Sequence, residues 1–172
     1  MGDSIRPGNL HDLERLQEIE KAAGLAFREV GMHAIAKDEP LPLEVLADYQ
    51  RRGHCWVATD QQDEVVGYVV VDVVDGAAHV EQVSVHPGWA RRRIGERLLD
   101  TVAAWARAQG LKAMTLTTFS EVPWNRPYYE RLGFRVLEQD EFSAGLLHIQ
   151  AEEAARGLDR WPRVTMRREL NH

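Results

Sequence analysis

The sequence predicts an α+β protein built on a mixed sheet. Two observations predict this class: the apolar residues change between helical and strand-like spacing along the chain, and tight-turn signals separate the strand-like runs. The expected order is one strand, two or three helices and a largely antiparallel meander of three strands, followed by β-helix-β-helix-β. We find no linker and no internal repeat, so we expect one domain over residues 1–172.

The first part of the chain is predominantly helical. Residues 4–7 form a strand-like run that Pro7-Gly8 closes. Helical spacing of apolar residues follows at Leu13, Leu16, Ile19 and Ala23. A weaker helical pattern covers residues 28–36, Pro40 and Pro42 then interrupt the chain, and residues 43–49 resume the helix.

The middle of the chain is rich in β-branched and aromatic residues. Three runs predict an antiparallel meander, with Asp75-Gly76 as a tight turn between the last two. The runs are 55–59, 65–74 and 77–86. After them, helical spacing extends from Ile94 to Gly110. The remaining signals are strands at 113–118, 134–137 and 163–166 and helices at 126–132 and 144–156.

Composition and charge exclude several classes of function. Hydrophobic residues make up 44% of the chain and charged residues 28%, as in soluble globular proteins. The net charge of −6 argues against nucleic-acid binding. No apolar run reaches the roughly 18 residues of a membrane span, and no signal-peptide pattern is present. We therefore expect a cytoplasmic protein without a membrane or nucleic-acid partner.

Disulfide and metal chemistry are not expected. Cys55 is the single cysteine, which excludes an intrachain disulfide and a cysteine-rich zinc site. Its apolar neighbours Trp56 and Val57 indicate a small core residue. The sequence has no His-x-x-x-His motif and no clustered carboxylates with metal-ligand spacing, so we expect no metal.

A basic turn at the start of a helix is the first functional signal. Arg91, Arg92 and Arg93 lie between the Pro87-Gly88 turn and the helix that begins near Ile94. A helix N-terminus offers unpaired N–H groups and a positive dipole end to an anion. The alternative is a solvated charge run, but cations here oppose the dipole unless an anion is bound. The pattern favours a phosphate-bearing ligand.

The residues around this turn resemble the acetyl-CoA-binding motif of the GNAT superfamily of N-acetyltransferases. They read Val83-Ser84-Val85-His86-Pro87, then Ala90-Arg91-Arg92-Arg93-Ile94-Gly95, then Leu98-Leu99. The resemblance implies the GNAT-like acyl-CoA N-acyltransferase fold with acetyl-CoA as co-substrate. It implies that Val83 and Val85, on either side of Ser84, bond the pantetheine arm through their main chains. The pyrophosphate would be cradled by Arg91, Arg92, Arg93, Ile94, Gly95 and Glu96.

Two residues depart from the GNAT pattern. Ala90 stands where the family often has Gln or Arg, and Arg93 stands where it usually has glycine. Glycine at the second position lets the backbone approach the phosphates closely. Arg93 either compensates by pairing with a phosphate oxygen or crowds the cradle, and our hypothesis is compensation.

A second block, Trp124 to Phe134, resembles the GNAT segment in which an asparagine precedes a helix ending in Tyr-x-x-x-Gly-Phe. The resemblance implies that Asn125 contacts the CoA arm and that Tyr129 lies near the thioester sulfur. A phenol with a pKa near 10 can protonate a leaving thiolate, which makes Tyr129 the candidate general acid. The alternatives are an N-cap for Asn125 and simple packing for Tyr129.

Glu81 is the candidate base that removes a proton from the attacking amine. Strand alternation places it on the same face as Val83 and Val85, where burial would raise its pKa. The alternative is a solvated charge near the strand end. Of the two histidines that bracket this strand, we expect His86 to cap the strand end and His79 to be exposed near the turn.

These features predict transfer of an acetyl group to a primary amine of a small molecule or peptide by direct attack. The resemblance places the acceptor cleft at residues 27–38 and 141–147. The acidic residues in and beside these segments, Glu29, Asp38, Glu39 and Glu141, would favour a cationic amine. A non-catalytic acyl-CoA sensor or interaction module is the alternative. A nucleotide site in another α/β enzyme is disfavoured, because no glycine-rich phosphate loop is present. The sequence leaves the amine, the acyl-chain preference and a homodimer open.

Overall fold

A computed structural model describes residues 4–26, 32, 39–120, 122, 125–157 and 162–170. The strands are β1 Ser4–Pro7, β2 Cys55–Thr59, β3 Val65–Val74, β4 Ala77–Val85, β5 Ala113–Phe119, β6 Arg135–Val136 and β7 Arg163–Glu169. The α-helices are α1 Leu13–Gly24, α2 Leu43–Arg52, α3 Ile94–Ala108, α4 Arg126–Arg131 and α5 Ala144–Ala155. Every predicted element in this part of the chain is present, with small shifts at the ends. The helical pattern at 28–36 lies outside the described residues, apart from Met32.

The strands form one sheet in the order β1-β2-β3-β4-β5-β7-β6. β2 is antiparallel to both β1 and β3. β4 and β5 run parallel, and β7 is antiparallel to both β5 and β6. The predicted mixed α+β class is confirmed. The sequence signals did not show that the last strand inserts between β5 and β6.

The chain divides into two compact units. The first consists of Met1–Val71 and Val80–Val102, and the second of Asp72–His79 and Ala103–His172. Three elements, β3, β4 and α3, contribute residues to both units. The expectation of one domain over the whole chain stays a prediction.

In the first unit, α1 and α2 pack on strands β2 and β3. The shared core contains residues from all four elements, and they are Leu13, Leu16, Ile19, Leu46, Tyr49, Cys55, Val57, Val65, Tyr68 and Val70. Burying each large apolar side chain contributes about 1.5–3 kcal/mol. Cys55 is buried as predicted, and burial raises the pKa of its thiol to about 12. The thiol therefore stays protonated and acts as a core group.

In the second unit, the turn after β3 also holds the start of α5. Asp75 and Gly76 have φ angles of 50° and 79°, as a two-residue hairpin turn requires, which confirms the predicted turn. The Asp75 Oδ2 accepts a hydrogen bond of 2.8 Å from the Gly145 N–H. A Cβ on Gly145 would lie 2.5 Å from Val74 Cγ1, so this close approach requires glycine.

A buried carboxylate anchors the first strand to the first helix. Asp12 is only 6% exposed and accepts hydrogen bonds from Arg6 Nη1 at 2.8 Å and from the Asn9 N–H at 2.8 Å. Burial alone would raise the pKa of Asp12, but these hydrogen bonds and the Arg6 charge outweigh it and hold the pKa below its usual value. The folded state therefore depends on Arg6 remaining opposite Asp12.

We expect Arg6→Gln to lower the free energy of unfolding by about 2–3 kcal/mol at pH 7, because it leaves a buried carboxylate without its cation. The pKa of Asp12 is lower in the folded protein than in the unfolded chain, so the Arg6–Asp12 pair stabilises the folded state fully above the unfolded pKa of about 3.9. This stabilisation disappears as the pH falls through the folded pKa. The difference between the two proteins should therefore shrink in acid. Urea unfolding between pH 3 and 7 measures it.

Arg51→Gln is the matched control, because Arg51 pairs with Asp48 on the exposed face of α2. It should change the free energy of unfolding by less than about 0.5 kcal/mol. Equal effects of the two substitutions would show that Asp12 does not need its buried partner.

Candidate functional site

Over its second half, one edge of β4 has no partner among the described strands. The pairing of β4 with β5 consists of Ala77–Ala113, Ala78–Met114 and His79–Thr115, and it ends there. On the other edge, the His86 N–H donates to the Val66 carbonyl of β3 at 2.8 Å. Because main-chain groups alternate between the two edges, those of Val83 and Val85 point away from β3. Their polar groups are therefore available for a ligand.

A short ordered loop connects this strand to α3. Pro87–Trp89 forms one turn of 3-10 helix, and the His86 Nδ1 accepts a hydrogen bond of 3.0 Å from the Gly88 N–H. His86 thus caps the end of the strand, as expected. Ile94, which is 2% exposed, anchors the start of α3 in the core. The strand, the loop and the start of the helix all belong to the first unit. The predicted residues 83–85 and 91–96 therefore lie on one continuous segment of that unit.

The three arginines are exposed at the N-terminus of α3. The Arg92 guanidinium lies 4.5 Å from the centre of the Trp89 ring, a cation–π contact. Within the part of the chain that the structure describes, Arg91 and Arg93 have no carboxylate partner. The N–H groups of Ile94, Gly95 and Glu96 have no acceptor within the helix, since they belong to its first turn. This concentration of donors and positive charge suits a phosphate.

Glu96 and Ser84 serve local structure as well. The Glu96 carboxylate stands in the first turn of α3, where it complements the helix dipole. The Ser84 hydroxyl is buried, with the side chain 5% exposed, and accepts a hydrogen bond of 2.8 Å from Gln82 Nε2. Their contacts with a cofactor stay predictions.

The backbone at the substituted glycine position is left-handed. Arg93 has a φ of 60°, and Arg91 has a φ of 65°. This conformation costs a residue with a Cβ about 1 kcal/mol or more, while glycine adopts it freely. The structure thus gives a reason for glycine at this position in addition to close approach to phosphates.

We expect Arg93→Gly to have a free energy of unfolding about 1 kcal/mol higher than Arg93→Ala, because both lack the guanidinium and only alanine retains a strained Cβ. Chemical denaturation of the two variants measures the difference. The same pair at Arg92, whose φ is not positive, should not favour glycine. A stability order with alanine above glycine at both positions would contradict the prediction.

The second predicted segment lies in the second unit, at α4. Asn125 occupies the N-cap position, but its side chain makes no capping hydrogen bond, so the alternative role of that side chain as an N-cap is not observed. Tyr129 is partly buried. Its ring centre lies 5.2 Å from the ring centre of Tyr128 and 5.9 Å from that of Phe134, in edge-to-face contacts. Burial, with a smaller effect of Tyr128, raises the pKa of Tyr129 well above its usual range. The phenol is therefore protonated at neutral pH. Pro123 and Trp124 lie outside the described residues.

The structure corrects the expectation for His79. It is 2% exposed, and its Nδ1 lies 2.8 Å from the Thr115 Oγ1. Burial lowers its pKa to about 4 against the opposing effect of Asp72, so the imidazole is neutral at pH 7. The prediction of an exposed histidine was wrong because pairing with β5 begins immediately after the turn and covers it. Glu81, the candidate base, is partly buried on β4.

The expected acceptor-lining segments are only partly described. Glu29 and Asp38 lie outside the described residues. Glu141 accepts a hydrogen bond of 2.9 Å from Arg135 Nη1 and another from the Glu138 N–H, which hold its pKa below the usual value. Among the described residues, no cluster of three metal-ligating side chains occurs, and no helix is long and apolar enough to cross a membrane.

Sequence reasoning missed one buried polar pair. The Tyr68 hydroxyl of β3 donates a hydrogen bond of 2.6 Å to Glu20 Oε1 of α1. Tyr68 is fully buried, and Glu20 is partly buried. In the sequence, Tyr68 is an ordinary strand residue and Glu20 an ordinary helix residue. No local signal links them, because they are brought together only when α1 packs on the sheet.

Comparison with known proteins gives a match to one protein family and to several solved structures. A family model described as the acetyltransferase (GNAT) family matches residues 14–134. Among solved structures, a GNAT-family acetyltransferase from Staphylococcus aureus Mu50 is similar with a TM-score of 0.74 and 17% identity, covering 98% of this chain and 99% of the other.

Two structures from Thermoplasma species show the same fold. Ard1 from Thermoplasma volcanium has a TM-score of 0.72 and 17% identity, with 100% of both chains covered. The PaiA N-acetyltransferase from Thermoplasma acidophilum, solved in complex with coenzyme A, has a TM-score of 0.68 and 16% identity, covering 98% of this chain and 99% of that one. At these identities, the structural likeness establishes the fold.

Proposed function

Because the chain belongs to the GNAT acetyltransferase family, we propose that it transfers the acetyl group of acetyl-CoA to a primary amine of a small molecule or peptide. The observation that carries the proposal is the unpaired edge of β4 at Val83 and Val85, which leads directly into the basic start of α3. An unpaired strand edge suits the amide-bearing pantetheine arm, and the basic helix start suits the pyrophosphate.

The phosphate cradle in this proposal combines two kinds of donor. The N–H groups of Ile94 and Gly95 bond phosphate oxygens along the helix dipole. Arg91 and Arg93 add charge-assisted hydrogen bonds from their guanidinium groups. Arg92 already stacks on Trp89 and contributes its charge from that position.

The proposed reaction is a direct attack on the thioester. The neutral amine nitrogen forms a bond to the acetyl carbonyl carbon, and the bond between that carbon and sulfur breaks. Glu81 takes the proton that the nitrogen loses, and the Tyr129 phenol gives a proton to the departing thiolate. The Tyr129 phenol carries its proton at neutral pH, as a proton donor must, and its burial makes it a weaker acid than an exposed tyrosine. Asn125, whose side chain does not cap α4, contacts the CoA arm.

A non-catalytic acyl-CoA-binding module is the second candidate. The observation that favours it is Arg93, which places a bulky side chain and a strained backbone in the cradle. Such a protein would bind acetyl-CoA and would not release free thiol with any amine.

We expect Tyr129→Phe to lower kcat for acetyl transfer about 100-fold, because the thiolate then leaves without a positioned proton donor. The measurement is release of free CoA thiol with acetyl-CoA and a panel of polyamines, amino acids, aminoglycosides and peptides with free N-termini. Tyr128→Phe is the matched control on the same helix and should retain activity. Full activity of Tyr129→Phe would exclude it as the general acid.

Binding without turnover on every amine would favour the acyl-CoA-binding module. Absence of acetyl-CoA binding would exclude both candidate functions.

We expect Arg93→Ala to weaken CoA binding about tenfold, because a charge-assisted hydrogen bond to phosphate is lost. Isothermal titration calorimetry at constant salt measures the affinity. Arg107→Ala, which removes the same charge from the last turn of α3, should leave the affinity unchanged. Clearly tighter binding by Arg93→Gly than by the unmodified protein would identify Arg93 as an obstruction.

A further inference from the structure

The second unit contains a cavity of about 530 Å³ beside α5. Strands β5 and β7 contribute Thr117 and Thr165, which are partners in register and therefore lie on one face of the sheet. Helix α5 contributes two small side chains, Ala151 and Ala154. Every described lining residue belongs to the second unit. The volume falls within the roughly 300–1,000 Å³ of small-molecule sites.

Polar contacts hold α5 near both of its ends. At its start, the Gly145 N–H donates to Asp75 in the turn after β3. Near its end, Arg163 Nη2 of β7 donates to Glu153 Oε2 at 2.6 Å, and both side chains are about 15% exposed or less. The two alanines between these anchors are too short to fill the space beside β7. The cavity is therefore preformed.

The described lining carries no net charge. Its charged side chains are Glu153 and Arg163, which form an ion pair with each other. A polyamine or aminoglycoside body would bring several positive charges against a lining that offers no further carboxylate. A ligand that is uncharged where it enters the cavity avoids this cost.

The polar lining groups both donate and accept hydrogen bonds. The side-chain amides of Gln139 and Gln150 bond each other reciprocally, with N–O distances of 3.2 and 3.4 Å. This pairing uses one N–H and one lone pair of each amide and leaves one of each. The hydroxyl oxygens of Thr117 and Thr165 lie 3.4 Å apart, and their mutual bond uses only one of two hydrogens. Donors and acceptors together match the N–H and C=O of a peptide group.

Apolar side chains complete the lining. Leu137 and Val164 come from the strand side, and Phe142 and Leu147 from the start of α5 and the segment before it. Leu147 is 43% exposed, so a ligand in the cavity would remove part of its surface from water. A peptide with uncharged side chains satisfies both the apolar and the amide-like parts of this lining.

We propose that the cavity receives the first residues of a peptide acceptor with uncharged side chains. The inference rests on the proposed acetyl transfer and narrows the acceptor from primary amines in general to peptide N-termini. Tyr129, the candidate general acid, belongs to the same unit as the cavity. Thr117 lies beyond Thr115, the last residue of β5 that pairs with β4. The peptide would thus lie along the half of β5 that β4 leaves unpaired.

The test measures kcat/KM for three peptide amides, Ala-Leu-Phe, Ala-Arg-Phe and Ala-Asp-Phe. Spermidine and tobramycin serve as charged comparison amines. The uncharged peptide should be acetylated about tenfold more efficiently than each of the others, because the cavity provides no counter-charge.

Filling the cavity should remove this activity. Ala151→Trp should lower kcat/KM for Ala-Leu-Phe amide by about tenfold or more, with the affinity for acetyl-CoA unchanged. Ala155→Trp is the matched control, because Ala155 is exposed on the same helix and does not line the cavity. Thermal unfolding verifies that both variants are folded.

A charge placed in the lining should change the preference among peptides. Gln150 is exposed, so Gln150→Glu should leave the fold intact and raise kcat/KM for Ala-Arg-Phe relative to Ala-Leu-Phe by about threefold. Gln109→Glu adds the same charge at an exposed position of the same unit outside the cavity and should leave the ratio unchanged.

Binding of the reaction product provides a measurement that does not depend on turnover. N-acetylated Ala-Leu-Phe amide, titrated calorimetrically without acetyl-CoA, should bind the unmodified protein and Tyr129→Phe equally. Ala151→Trp should not bind it.

Three results would overturn the inference and leave acetyl transfer intact. They are turnover of spermidine or tobramycin without turnover of any peptide, equal efficiency for the three peptides, and peptide turnover that neither Ala151→Trp nor Gln150→Glu changes. If the unmodified protein acetylates no amine, the proposed function is excluded, and the acceptor role of the cavity with it.

Discussion

The early end of the β4–β5 pairing is the constraint on which the candidate site depends. β5 is paired with β7 along its whole length, whereas its pairing with β4 stops at His79 and Thr115. The main-chain groups of Val83 and Val85 that point away from β3 consequently have no partner among the strands that the structure describes. Polar backbone groups require hydrogen bonds from some source, and here either solvent or a ligand must supply them. An extended, amide-bearing ligand arm can do so as an added strand would.

The loop after this strand combines backbone strain with unfavourable electrostatics, and a bound anion would offset the electrostatic part. Arg91 and Arg93 both adopt left-handed backbone conformations, which cost residues with a Cβ free energy. Three positive side chains also stand at the positive end of the α3 dipole. Bound phosphate would reverse the electrostatic contribution, because both the guanidinium groups and the helix N–H groups attract it. Backbone strain would remain, and binding would have to compensate for it.

Most helices and strands could be predicted from the sequence because their signals are local. The spacing of Leu13, Leu16 and Ile19 marks a helix, and Asp75-Gly76 marks a hairpin turn. The insertion of β7 beside β5 and the burial of His79 could not be predicted, since both depend on strand order. The same holds for the candidate site. Motif resemblance located Val83 to Glu96 and Asn125 to Tyr129, but no motif reported the left-handed Arg93 or the contact between Glu20 and Tyr68.

The hydrogen bond between Tyr68 and Glu20 is costly for a core that serves packing alone. Burying a hydroxyl and part of a carboxylate removes their hydration, and their mutual hydrogen bond recovers only part of that loss. Apolar side chains of similar volume would often give equal or greater stability. Removing only one member is different, because it leaves the other in a largely apolar environment without this partner. The pair is therefore difficult to lose stepwise, and it ties α1 to β3 at one fixed position.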